Sequence, residues 1–140
     1  MNLAKQRVDD PSFRPDCRIS LVILERGRPA KLALGCAWED ESGKARISYR
    51  KFLGKALLRE SLMDAILKAF ELAKKLHKRK PELCLAADMV PHKISDKRIL
   101  SLCESFESYR MRPGSEAELH LAGDLASRAF NRDKDMEKSK

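Results

Sequence analysis

The sequence predicts a single α/β domain in which a mixed five-stranded sheet is flanked by about three helices. Three observations carry the prediction. Three β-patterned segments follow one another near the N-terminus, a long amphipathic segment and a short apolar run come next, and a well-capped amphipathic segment closes the order. At 140 residues the chain is of single-domain size and can bury a core without disulfides or metals. Its 43% hydrophobic and 36% charged residues are those of a soluble globule. No apolar run nears the roughly 20 residues of a membrane span.

Residues 17–25, CRISLVILE, are rich in β-branched and aliphatic side chains and run into the turn chemistry of Arg26-Gly27-Arg28-Pro29. Residues 31–38 read as a second strand, Glu39-Asp40-Glu41-Ser42-Gly43 as its turn, and residues 45–52 as a third strand with Ala45, Ile47 and Tyr49 on one face. Three strands in succession imply an antiparallel meander. Residues 57–77 put Leu62, Ile66, Ala69, Ala73 and Leu76 at helical spacing, which predicts the main amphipathic helix. The run LCLAAD, residues 83–88, is short enough for a buried strand, and strand, helix, strand implies a crossover to parallel pairing. A second helix is expected over residues 95–107 and a short strand over 109–112. Then Ser115 and Glu118 match a capping box ahead of the stripe Leu119, Ala122, Leu125, Ala126, Ala129 and Phe130. The expected organisation is a flexible N-terminal segment, 1–16, a domain over 17–131, and a flexible charged tail, 132–140.

Cys17, Cys36, Cys84 and Cys103 lie far apart inside apolar segments, and His77, His92 and His120 are equally scattered. Reduced core thiols are expected, and no zinc site. The N-terminus has no apolar stretch of the export type, so a cytoplasmic protein is expected. A formal net charge of +8 attracts polyanions, which makes nucleic acid the first candidate partner.

The residues also carry a resemblance. The stretch GRPAKLALGCAWEDESGKARISYRKFLGKA resembles the part of the ribonuclease H and reverse-transcriptase-like families that runs from a Gly/Pro/Ala-rich turn through two strands to L-G-x-A ahead of the main helix. Gly35, Gly43, Lys44, Leu53, Gly54 and Ala56 carry the match. Near the end, RPGSEAELHLAGDLASRAF resembles the family's last loop and helix through Pro113, Gly114, Ala122, Leu125 and Ala126. The resemblance covers residues 17–130 and rests on the common order of its motifs. It implies a ribonuclease H-like fold, and an ancestral chemistry in which two magnesium ions held by about four carboxylates hydrolyse the RNA of an RNA-DNA hybrid.

Carried over position by position, that acid cluster is degenerate. The first-strand Asp falls at Leu24 or Glu25, followed by Arg26 in place of Gly. The helix Glu falls on Leu62, after Leu57-Leu58-Arg59 in place of Thr-Asn-Asn. The last-helix Asp becomes Gly123 and the loop His becomes Ser115. Asp88 alone matches a family ligand, and it also suits a cap for the following turn or helix. No metal or cofactor is expected. An alternative register assembles Glu25, Glu60, Asp88 and Asp124, and magnesium would be required only in that case. Against it, shifting a helical residue by two positions turns its side chain by about 200°.

Two basic groups stand out. The run from Lys74 to Lys80 complements a helix C-terminus. Arg26, Arg28, Lys55 and Arg59 are expected to gather where the first turn meets the start of the main helix, converting a metal pocket into a phosphate-attracting one. Leu57, Leu58 and Leu62 could instead form an apolar contact at that rim. Three functions follow as expectations: a non-catalytic nucleic-acid-binding domain on duplex or hybrid backbone; a protein-interaction or assembly scaffold; and an active magnesium-dependent nuclease using displaced acids.

Overall fold

The computed structural model describes residues 13–132 and 136–139. Strands β1 (Cys17–Arg26), β2 (Lys31–Asp40) and β3 (Arg46–Gly54) form the antiparallel meander. Helix α1 (Leu58–Lys75) crosses to β4 (Pro81–Leu85), and α2 (Lys97–Cys103), β5 (Arg110–Pro113), α3 (Glu116–Arg132) and β6 (Met136–Ser139) follow. The sheet order is β5-β4-β1-β2-β3-β6, with β4 parallel to both β1 and β5.

The two faces of the sheet are built differently because successive strand residues point to opposite sides. Ile19, Leu21, Cys36, Trp38 and Tyr49 join Ile66, Ala69 and Phe70 of α1 in the main core, where Phe70 also meets Phe106 and Tyr109 at ring-centroid distances of 5.7 and 5.8 Å. Burying each large apolar side chain there contributes about 1.5–3 kcal/mol. The other face is covered by α3. A side chain at Gly35 would lie 1.8 Å from the carbonyl oxygen of Ala122, so the missing Cβ lets α3 rest directly on β2. Ala122, Ala126 and Ala129 are buried in that contact.

Several element boundaries differ from expectation. β4 occupies residues 81–85 rather than 83–88, starting on a proline as a strand can where no ladder donor is needed. α2 starts at Lys97 because the Asp96 side chain caps it, accepting from the amides of Arg98 and Ile99 at 2.9 and 3.4 Å. It stops at Cys103, where the amides of Ser105 and Phe106 switch to the tighter i→i+3 bonds with the carbonyls of Leu102 and Cys103. α1 ends in a Schellman turn: His77 adopts a φ of 60°, and the amides of His77 and Lys78 donate to the carbonyls of Lys74 and Ala73.

Contacts extend beyond the expected domain bounds of 17–131. Residues 1–12 lie outside the described residues, but Phe13 is buried against the Arg110 guanidinium, and the Asp16 carboxylate accepts from the amides of Arg79 and Lys80 at 2.7 and 3.0 Å. Contacts with the domain thus begin before Cys17. Within the expected charged tail, Met136–Ser139 pairs antiparallel with β3. Main-chain pairing to an open strand edge needs no apolar side chains, so composition did not reveal it. All four cysteines are buried and free, and burial pushes each thiol up to about 12.

Candidate nucleic-acid interface

The carboxylates weighed as ligands are dispersed. Glu25 is exposed near the end of β1, on the face opposite Leu24. Glu60 is exposed in the first turn of α1. Asp88 sits exposed in a short 3-10 turn, Ala87–Met89, after β4, and Asp96 rather than Asp88 caps the next helix. Asp124 is half-buried and paired with Arg128 at 3.1 Å. Among the described residues no three His, Cys, Asp or Glu side chains come together closely enough to hold a metal ion.

The other positions to which the resemblance would carry acids are Leu24, Leu62 and Gly123. Leu62 is 9% exposed and belongs to the core. Leu24 is half-buried, and a side chain at Gly123 would meet nothing within 4 Å. Hard divalent cations require several oxygen ligands, and one exposed aspartate beside such a set does not fit them.

Strand register accounts for where the cations gather. Arg26 pairs with Lys31, and Leu32 pairs with Gly54, so the β1–β2 turn carrying Arg28 and the β3–α1 junction carrying Lys55 leave the same end of the sheet. Arg59 follows in the first turn of α1. Arg28, Lys55 and Arg59 are exposed. Arg26 is also exposed but tied down: its Nη2 donates to Ser127 Oγ at 2.9 Å, and its guanidinium lies 4.7 Å from the centre of the Phe130 ring. It fastens β1 to α3 rather than standing free with the other three.

The basic run at the far end of α1 is partly neutralised, since Lys78 pairs with Glu41 at 3.6 Å and the turn is held by Asp16. The suggested leucine contact is also broken up. Leu57 is 65% exposed, whereas Leu58 packs against the core and Leu62 lies within it.

Sequence reasoning missed the largest charge constellation. Glu82, with no exposed surface, receives Arg18 Nε at 2.9 Å, Arg110 Nε at 2.6 Å and Arg112 Nη2 at 3.1 Å. Arg112 also donates to Glu118 at 2.6 and 3.0 Å. Burial alone would raise the Glu82 carboxyl, but the hydrogen bonds from Arg112, Arg110 and Arg18 outweigh it and hold it below the usual carboxylate range. Glu118 falls to about 2, chiefly through Arg112. Register lines Arg110, Glu82, Arg18, Glu39 and Arg46 across five strands as alternating cations and anions. The signal was present as charges at inward positions of strands, but it is readable only once register is known.

No protein-family model and no curated protein matches the chain. Solved structures do match its shape. The RNase H1 of the halophilic archaeon Halobacterium salinarum NRC-1 superimposes with a TM-score of 0.67 at 20% identity, over 82% of this chain and 97% of that one. The N-terminal RNase H domain of a Mycobacterium tuberculosis protein, solved as a fusion with maltose-binding protein, gives 0.64 at 14% identity over 80% and 96%. An RNase H1 isolated from compost by a metagenomic approach gives 0.58 at 14% identity over 86% and 99%. On that similarity of shape, the chain has a ribonuclease H-like fold.

Proposed function

We propose that this ribonuclease H-like domain binds the backbone of duplex or hybrid nucleic acid without cleaving it. The observation that carries the reading is the contrast at one end of the sheet. Among the described residues no three acids come together to hold a metal ion, while Arg28, Lys55 and Arg59 stand exposed around the β1–β2 turn and the start of α1. Exposed guanidinium and ammonium groups at helical and turn positions suit phosphate contact, and the net charge of +8 draws a polyanion from a distance. With Trp38 buried and the only Trp, stacking on single-stranded bases has little support, which favours duplex.

A salt-dependent gel shift with an RNA-DNA hybrid tests the reading. Replacing Arg28 and Arg59 by Ala is expected to weaken binding and to flatten log K against log salt by about one unit for each phosphate no longer neutralised, whereas replacing Lys78 and Lys80 does less. Equal weakening by both double variants would move the interface away from this end. Hybrid cleavage with magnesium that disappears in Asp88→Asn would replace binding by catalysis as the function.

A further inference from the structure

We propose that the groove between α3 and β3 binds a small phosphate monoester with an apolar body, anchored by Arg50. The groove has a volume of about 670 Å3 and is lined by Arg50, Ser48 and Ser20 from the sheet and by Leu121, Leu125 and Arg128 from α3. That is the size range of sites that enclose small organic ligands.

Arg50 is the reason to assign an anion. It is only 3% exposed, its Nε is buried without a hydrogen-bond partner, and among the described residues no acid pairs with its guanidinium. A buried Nε in that state is costly unless an acceptor meets it, since nearly all buried donors in proteins are satisfied. The other charges lining the groove are already engaged. Arg18 and Glu118 belong to the Glu82 network, Arg46 lies 3.8 Å from Glu39, and Arg128 pairs with Asp124. Among the described residues Arg50 is therefore the groove cation with valence to spare.

The shape of the ligand follows from the neighbours. A guanidinium fork takes two oxygens of an oxyanion, and the hydroxyl of Ser48, two residues before Arg50 on the same face of β3, offers a donor to a third, which suits tetrahedral phosphate better than planar carboxylate. Leu121, 51% exposed, offers an apolar wall for an organic body. Arg50 pairs in register with Gly35 beneath α3, and none of Arg28, Lys55 and Arg59 lines the groove. The assignment is thus independent of the nucleic-acid reading.

Titration calorimetry on the full chain with phenyl phosphate, inorganic phosphate and benzoate tests it. Phenyl phosphate is expected to bind one per chain, about tenfold or more tighter than either of the others. Arg50→Met should lose that binding while melting, without ligand, no lower than the native chain, because the variant removes a buried charge that lacks a protein partner. Leu121→Glu, a change at an exposed site, should weaken phenyl phosphate by about tenfold and leave the fold intact. Unaltered binding by Arg50→Met, benzoate binding as tightly as phenyl phosphate, or a ligand-free melting loss above about 5 °C in Arg50→Met would each overturn the proposal. Retention of phenyl phosphate binding in the Arg28 and Arg59 variants supports it. Displacement of phenyl phosphate by hybrid duplex, together with loss of duplex binding in Arg50→Met, would make the groove a nucleic-acid surface and overturn the small-molecule assignment.

Discussion

Glu82 and Arg50 each bring a charge into the sheet face beneath α3, and each is shielded from solvent, yet their surroundings are opposite. Glu82 is surrounded by three arginines, and the second carboxylate, Glu118, closes the circuit on Arg112. Arg50, beside Gly35 on β3, has no such partner among the described residues. The difference teaches how to read a buried charge. Where counter-charges converge, the group is architecture, tying β1, β4, β5 and α3 together; where they do not, the group is available to a ligand.

The comparison breaks most decisively at Glu82. Glu82→Gln would leave three guanidiniums without their shared counter-ion, and a loss of about 3–5 kcal/mol is expected in urea unfolding. A loss under about 1 kcal/mol would mean that the arginines reach solvent and the network is not structural. Gly35→Ala should act on both regions together, since its methyl group would collide with the backbone of α3. A destabilisation of about 3 kcal/mol is expected, together with weakened phenyl phosphate binding. Unchanged stability would show that α3 can lift without cost.

Acid sharpens the contrast further. The Glu118 carboxyl, about 2 in the folded chain, lies below its ordinary value of 4.5. As pH falls the unfolded chain takes up that proton first, so the contribution is fully present above about pH 5 and is lost progressively toward pH 2. Discounted for its partial exposure, the loss is on the order of 2 kcal/mol, and Glu118→Gln should flatten this part of the urea-unfolding profile. The smallest effect is expected at Gly123, where a side chain meets nothing. Gly123→Ala should raise stability by about 0.5–1 kcal/mol through helix propensity alone, against the loss at Gly35 beneath the same helix.

Much of the architecture was legible because local pattern decides it. The β-branched and aliphatic run CRISLVILE, the 3.6-residue stripe of α1 and the Ser115/Glu118 box all appear where expected, with the Ser115 amide donating to Glu118 at 2.9 Å and the Glu118 amide to Ser115 Oγ at 3.1 Å. The end of the sheet carrying Arg28, Lys55 and Arg59 was also foreseeable, because a meander followed by a helix brings those segments together. What escaped were long-range facts. Arg26 is captured by Phe130, 104 positions along the chain, and Glu82 meets Arg110 only because β5 adds in parallel at a particular register. Leu62 is a core residue because of what α1 faces, which the α1 sequence alone left open between burial and contact. Even Glu118 was half-read: its capping role was visible, its grip on Arg112 was not.

The arginine-glutamate row has a consequence for how the sheet assembles. β4 is five residues long and buried along its whole length, so its apolar side chains alone would tolerate a slip along β1 with little penalty. Sliding β4 by one residue would turn Glu82 toward the apolar core of α1, and sliding by two would separate it from Arg18 and Arg110. The row thus acts as an alignment key. A crossover strand that follows the whole of α1 in sequence has one register in which Glu82 meets its arginines, and any other would leave it an uncompensated buried charge.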